Sequence, residues 1–373
     1  MNFAFSEEQE MLRDSVRRFL EARCPSEKVR DLMESDEGYD PALWREIARQ
    51  GWQGMHIPEE YGGAGFSYLE LVILLEEMGR SLFPAPFFSS VVLAANTILV
   101  GGSEEQKAEL LPGIAAGETI ATLALVEESG RWDAAGIQLP VERDGDGFVL
   151  SGTKLYVLDG HTADLLVVAA RGEDGVSLFA VDAGAGGITR ERQESMDMTR
   201  KLARVRFDRV RVPASALLGE AGGGWAILEK VLDLAAVALA AEQVGGAEKC
   251  LEMAVDYAKV RVQFGRPIGS FQAIKHKCAD MLIQTESARS AAYYAGWAAA
   301  EDNEELPVVA PLAKSYCSEA YFFCAAENIQ VHGGIGFTWE HDAHLYFKRA
   351  KSSELMFGDP AYHRALLADR LGI

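Results

Sequence analysis

Arg261-Val262-Gln263-Phe264-Gly265-Arg266-Pro267-Ile268-Gly269-Ser270-Phe271-Gln272, together with Gln330-Val331-His332-Gly333-Gly334-Ile335-Gly336-Phe337 further on, is the part of this chain whose reading decides the rest. Arg261 offers a planar, permanently charged fork that suits a phosphate. Phe264 and Phe271 offer flat apolar faces for a ring. Gln330 leads into Gly333 and Gly334, where backbone without side chains can lie against a ligand. Taken singly, the phenylalanines also fit a helix-bundle core, and the glycine pair fits a helix stop. Taken together, the set reads as a site for a dinucleotide-like cofactor, built outside any strand-and-glycine-loop fold.

Outward from that pair, the texture of the chain divides in three. The first ~118 residues read as helices. Ser6 is placed to cap the first of them with Gln9 in the capping-box position, and Met11, Leu12, Val16, Phe19 and Leu20 form its apolar face. Pro58 to Gly65 is a turn, a helix runs from Tyr68 to about Ser81, and another starts after Gly102, with Pro112 near its end. From about Thr119 short apolar runs alternate with turn signals: Ala121–Val126, Gln138–Val141, Gly147–Leu150, Leu165–Ala170, Ser177–Val181 and Arg204–Val212. Asp144-Gly145-Asp146-Gly147 between two of these runs predicts a hairpin. From Trp225 onward the spacing predicts long helices over about Trp225–Val262, Ser270–Ala300 and Leu306–Gln330, with short links that suggest a bundle. The expected organisation is 1–118 helical, 119–221 β and 222–373 helical bundle.

The bulk numbers fit that organisation. A chain of 373 residues is long enough for two or three domains with buried cores. The net charge of −20 argues against nucleic acid or an anionic membrane as partner, and an anionic ligand such as coenzyme A needs a local basic pocket. The five cysteines (Cys24, Cys250, Cys278, Cys317 and Cys324) are an odd number without metal-ligand spacing, as expected of free thiols in a reducing cytoplasm. Met1 to Phe5 lead into a helix start rather than a signal peptide, and no apolar run is long enough to span a bilayer.

Helices, then a β region, then long helices carrying this pair of segments resembles the acyl-CoA dehydrogenase family. Ile57 to Gly63, Glu76-Glu77-Met78-Gly79-Arg80, Gly102 to Pro112, Gly152-Thr153-Lys154 and Ala279-Asp280-Met281 add to the likeness, which covers essentially the whole chain. The resemblance implies an α+β architecture: an N-terminal helical domain, a middle β-barrel-like domain and a C-terminal four-helix bundle. It implies FAD held across a subunit interface. Arg261, Gln263, Phe264, Phe271, Gln330, Gly333 and Gly334 would contact the pyrophosphate and adenosine end, and a neighbour's β domain would hold the flavin ring. It also implies α,β-dehydrogenation of an acyl-CoA thioester, in which a carboxylate removes the α-proton and the β-hydrogen leaves as hydride to the flavin. An electron-accepting protein partner is expected by the same resemblance.

Both positions at which the family carries its base are empty. After the basic turn Lys348-Arg349-Ala350-Lys351 the usual glutamate position falls on Phe357, and the alternative L-D-L-E segment reads Leu232-Asp233-Leu234-Ala235, with Ala235 26 residues before Arg261. Glu242, Glu354 and Asp359 are weak candidates, each read as a polar helix residue or a cap ahead of a base. On the flavin side the family's T-E-P-x-A-G-S-D loop corresponds to Val126 to Asp133, and W-I-T to Tyr156-Val157-Leu158, so two hydroxyl donors become apolar. The chain therefore looks like the non-catalytic member of an α2β2 pair, similar to actinobacterial enzymes of sterol side-chain β-oxidation. Two other readings are a self-sufficient homotetramer with a relocated base and a scaffold subunit without flavin. His332 is given a local hydrogen-bonding role; His341 and His344 read as part of a solvated helix start rather than as metal ligands.

Overall fold

The computed structural model describes residues 6–373; Met1 to Phe5 lie outside the described residues. Among the described residues eleven α-helices and ten strands follow in chain order. The helices before the β region are α1 (Glu7–Arg23), α2 (Ser26–Glu34), α3 (Pro41–Arg49), α4 (Tyr68–Arg80), α5 (Asn96–Gly101) and α6 (Glu104–Ala115). Then come β1 (Ala121–Ala124), β2 (Val141–Asp144), β3 (Gly147–Leu158), β4 (Leu165–Gly172), β5 (Gly175–Asp182), β6 (Ile188–Gln193), β7 (Leu202–Pro213) and β8 (Leu217–Leu218). The last part holds α7 (Gly224–Val260), the two-residue strands β9 (Val262–Gln263) and β10 (Arg266–Pro267), α8 (Gln272–Ala300), α9 (Leu306–His332), α10 (Ala343–Leu355) and α11 (Pro360–Leu371).

Local chemistry explains the boundaries. Ser6 accepts the Gln9 N–H while the Gln9 side chain answers the Ser6 N–H, and Ser67 and Ser103 open α4 and α6 with the same reciprocal cap. The Asp144–Gly147 hairpin forms as the turn residues predict, Asp144 pairing with Gly147. Where the run Gln138–Val141 suggests a strand, β2 starts only at Val141. The N–H groups of Gln138 and Leu139 go instead to Glu127 Oε1 (2.9 Å each), and Pro140 has none to give. β3 runs well past Leu150, bulging twice against β7 and passing Tyr156 at φ 54°. The edge strand β6 carries too many polar residues to show alternation, and it exists by pairing with β7.

The chain packs as two units. One consists of residues 31–66 and 84–235. Its strands form two four-stranded sheets, ordered β1-β4-β5-β8 and β2-β3-β7-β6, with β1 and β4 parallel and the other neighbouring strands antiparallel. A π-helix over Phe88–Ala95, all of it buried, lies in this unit and has no signature in the residue spacing. The other unit consists, among the described residues, of 6–30, 67–83 and 236–373, so that α1 and α4 pack with the long C-terminal helices. Glycine sets that packing: a Cβ on Gly79 of α4 would lie 2.0 Å from the Glu242 carbonyl oxygen, and one on Gly245 of α7 would lie 1.8 Å from that of Glu76. The two backbones approach at positions where only hydrogen fits. All five cysteines are free thiols. No helix of the described residues is long and apolar enough to cross a membrane.

Candidate functional site: an arginine and glycine pocket

The segment that opens the sequence reading closes into a small hairpin. Arg261 N–H still bonds back to Tyr257 at the end of α7, and the Ile268 N–H bonds to the Arg261 carbonyl (2.8 Å each). Between them Gln263 pairs with Arg266, and the turn residues Phe264 (φ 53°) and Gly265 (φ 77°) both adopt positive φ. Glycine takes that conformation freely; a bulky aromatic does so at a cost. Phe264 is also 91% exposed, so the strain is not repaid by burial within this chain. Phe271 meets Phe264 edge-on at 6.0 Å, and the Arg266 guanidinium lies 4.2 Å from the Phe271 ring centre.

The hairpin forms one wall of a pocket of about 430 Å³. Arg261, Gln263, Phe264, Phe271, Gly333 and Gly334 line it, so six of the seven residues predicted from sequence converge. The seventh, Gln330, is exposed on the last turn of α9 and does not line this wall. Tyr257 and His332 also line the pocket, and the sequence reading gave neither a place there. The available signal for Tyr257 was its spacing, four residues before Arg261 and hence one helical turn away on the same face.

The pocket suits an FAD pyrophosphate and adenosine. A Cβ built on Gly333 or Gly334 meets nothing within 4 Å, and Gly334 lacks the positive φ that would demand glycine. Neither packing nor, at Gly334, conformation requires a missing side chain, whereas a ligand lying on that backbone would. Arg261 supplies the cation.

The residues that the resemblance puts at the base positions and at the flavin-side hydroxyl positions are apolar. Phe357 is buried at φ 63°, and Ala235, Val126 and Leu158 are buried as well. Tyr156 is exposed, with its N–H bonded to Gln193 Oε1 (2.7 Å). The three remaining carboxylates have structural tasks. Glu242 is buried against the Arg349 guanidinium at 2.7 Å, so accepting a proton would strip a buried cation of a counter-ion. Glu354 pairs with Lys351 at 2.8 Å, and Asp359 caps α11 by accepting the Tyr362 N–H at 2.8 Å. The segment holding Phe357 is clamped from below: buried Lys314 donates to the carbonyls of Glu354 (3.1 Å) and Gly358 (3.2 Å), and His363 Nε2 donates to that of Phe357 (3.1 Å). At the other histidine pair, His341 Nδ1 accepts the Ala343 N–H at 3.1 Å, while Asp342 binds Arg30 at 2.7 Å.

A helical frame with an inserted β region and a hairpin-and-glycine pocket for a dinucleotide defines a class of flavin-dependent oxidoreductase. Comparison with known proteins names the family. The chain matches the acyl-CoA dehydrogenase N-terminal domain over residues 6–118, the middle domain over 122–210 and the C-terminal domain over 222–372. It is 37% identical over 359 residues to the acyl-CoA dehydrogenase IpdE2 of Mycolicibacterium smegmatis, covering 95% of this chain and 96% of that one. Among solved structures it resembles the ChsE4–ChsE5 complex from Mycobacterium tuberculosis, with a TM-score of 0.92, 30% identity and coverage of 100% and 99%. It also resembles the Tcur3481–Tcur3483 steroid ACAD, with a TM-score of 0.88, 34% identity and 98% of each chain covered. This chain belongs to the acyl-CoA dehydrogenase family of FAD-dependent oxidoreductases.

Proposed function

We propose that this chain is the non-catalytic subunit of an α2β2 acyl-CoA dehydrogenase acting on a steroid side-chain thioester, and that it lends half of an FAD site to a homologous partner. One observation carries the reading: the arginine and glycine pocket is intact and open, while both base positions hold buried apolar side chains, Phe357 and Ala235. When bound, FAD supplies the hydride acceptor. This chain's residues hold it: Arg261 neutralises the pyrophosphate, Gly333 and Gly334 admit its close approach, and Phe264 reaches outward from a strained turn. The likeness to the ChsE4–ChsE5 complex supports pairing with a related chain. The likeness to a steroid ACAD supports the substrate class. An electron-accepting protein then reoxidises the assembly.

Expression alone and together with the homologous partner chain tests the reading. The expected result is little flavin on this chain alone and one FAD per pair of chains in the complex, lost on Arg261→Ala. A fully flavinated, active enzyme from this chain alone refutes it. Unchanged flavin after Arg261→Ala would make the chain a scaffold.

A further inference from the structure

The glycine turn runs into Phe337 to Glu340, four exposed residues that lead to the start of α10. The hydrogen bonds of this segment to itself are short-range: Thr338 donates to the Ile335 carbonyl, and the His341 N–H to that of Thr338. An exposed segment bonded so locally takes its shape from what grips it. The grip comes from α2. The Arg30 guanidinium donates through Nη1 to the Trp339 carbonyl at 2.6 Å, and through Nε and Nη2 to Asp342 Oδ1 at 2.9 and 2.7 Å. The Ser26 hydroxyl donates to the other oxygen, Oδ2. Asp342 stands at the N-cap position of α10, where an aspartate ordinarily accepts a helix N–H, yet its side chain makes no cap bond. Its carboxylate is turned to α2 instead. His341 fills the gap: its Nδ1 accepts the Ala343 N–H at 3.1 Å, and its ring lies 4.3 Å from that of His332, which lines the pocket.

An imidazole accepts at Nδ1 only while that nitrogen carries no proton. Burial first lowers the His341 pKa; Asp342 pulls it up, and the Arg30 charge pushes it down again. The other titratable and charged groups around this segment come from three further places. His332 of α9 lies between His341 and Tyr257 of α7, Glu340 belongs to the segment itself, and His344 and Lys348 of α10 both lie against the Trp339 ring.

We propose that Arg30 is a positioning residue of the flavin half-site, strapping the segment after the glycine turn through Trp339 and Asp342 and so holding His341 against His332. This rests on the reading of the pocket as half an FAD site.

The test measures FAD dissociation from the assembly of this chain with its homologous partner, between about pH 5 and pH 8. Arg30→Gln removes the charge and the fork. Asp342→Asn removes the grip from the other side and leaves α2 intact, so a folding defect in one variant leaves the other to decide. Each is expected to weaken FAD about fivefold at about pH 7.5. Wild-type affinity should be full above the pKa of His341 in the FAD-free assembly and fall as pH drops below it. Arg30→Gln takes away a cation that lowers that pKa, so its affinity should begin to fall at a higher pH. Arg30→Lys restores the charge without the fork and should bring the acid limb back. Weaker binding with an unmoved acid limb would make Arg30 a structural residue only and overturn the inference. So would wild-type binding by Arg30→Gln and Asp342→Asn while Arg261→Ala releases FAD, an outcome that leaves the half-site standing. If Arg261→Ala also retains FAD, the half-site reading fails with it.

Discussion

Acidification should unfasten the segment that carries Phe357, and His363 is where the effect can be measured. The ring is 4% exposed, and its Nε2 donates to the Phe357 carbonyl at 3.1 Å. Burial first, and then the charge of Lys314, push its pKa down from 6.5 to about 3. The native protein therefore keeps the ring neutral where the unfolded chain protonates it. The stability gained from a neutral His363 is fully present above about pH 6.5 and is lost as pH falls toward the folded value. At about pH 5 the unfolded histidine is almost wholly charged and the native one almost wholly neutral, a penalty of about 2 kcal/mol on folding. Nearly none of that penalty exists at about pH 7.5. His363→Gln keeps an N–H donor for Phe357 and cannot titrate. Urea unfolding of both proteins at these two pH values should show the wild type losing about 2 kcal/mol more than the variant. Equal losses would refute the reasoning, because they would mean that burial does not hold this ring neutral.

The other predictions concern packing and pairing. Glu242→Gln should lower stability by about 3 kcal/mol by depriving buried Arg349 of its carboxylate, and Glu242→Gln/Arg349→Met should recover part of the loss. Turnover of the folded assembly should stay unchanged, whereas a base relocated to Glu242 would lose it. Gly245→Ala should cost at least about 2 kcal/mol, measured by thermal unfolding, because its Cβ would sit 1.8 Å from the Glu76 carbonyl oxygen. Lys154→Met should cost about 3–5 kcal/mol, since fully buried Lys154 donates to Glu127 at 2.6 Å and to the Leu125 carbonyl. A Lys154→Met protein as stable as the wild type would show that the attraction within this pair does no more than offset its desolvation.

What could be read beforehand was what short-range chemistry determines. Ser6, Ser67 and Ser103 could be assigned as helix starts or near them because a cap is a local hydrogen bond, and Asp144–Gly147 could be assigned because a two-residue turn is local strain relief. The strand β6 and the start of β2 could not, because each depends on which distant group takes a backbone N–H: β7 in one case, Glu127 in the other. The split of the first helices between two packing units follows from Gly79 and Gly245 meeting carbonyls of another helix, a contact invisible in either segment alone.

The site divides along the same line, and the division says what kind of residue a sequence reading finds. Arg261, Phe264 and Gly333 stand out because their residue types suit a ligand, as a fixed cation, a flat ring and a backbone without a side chain, and the structure adds that Phe264 is exposed on a strained turn and that Gly333 has empty space where a side chain would be. Tyr257 and His332 do not, because a tyrosine on a long helix and a histidine at a helix end are ordinary until the pocket shows them stacked together. The positions at which the resemblance puts a base, Phe357 and Ala235, are read for the opposite reason. A carboxylate role can be rejected from residue type alone, since neither phenylalanine nor alanine can take a proton. Geometry adds what residue type cannot: Glu242, Glu354 and Asp359 are bound to Arg349, Lys351 and the α11 cap, so a base recruited from among them would first have to abandon the structure it holds.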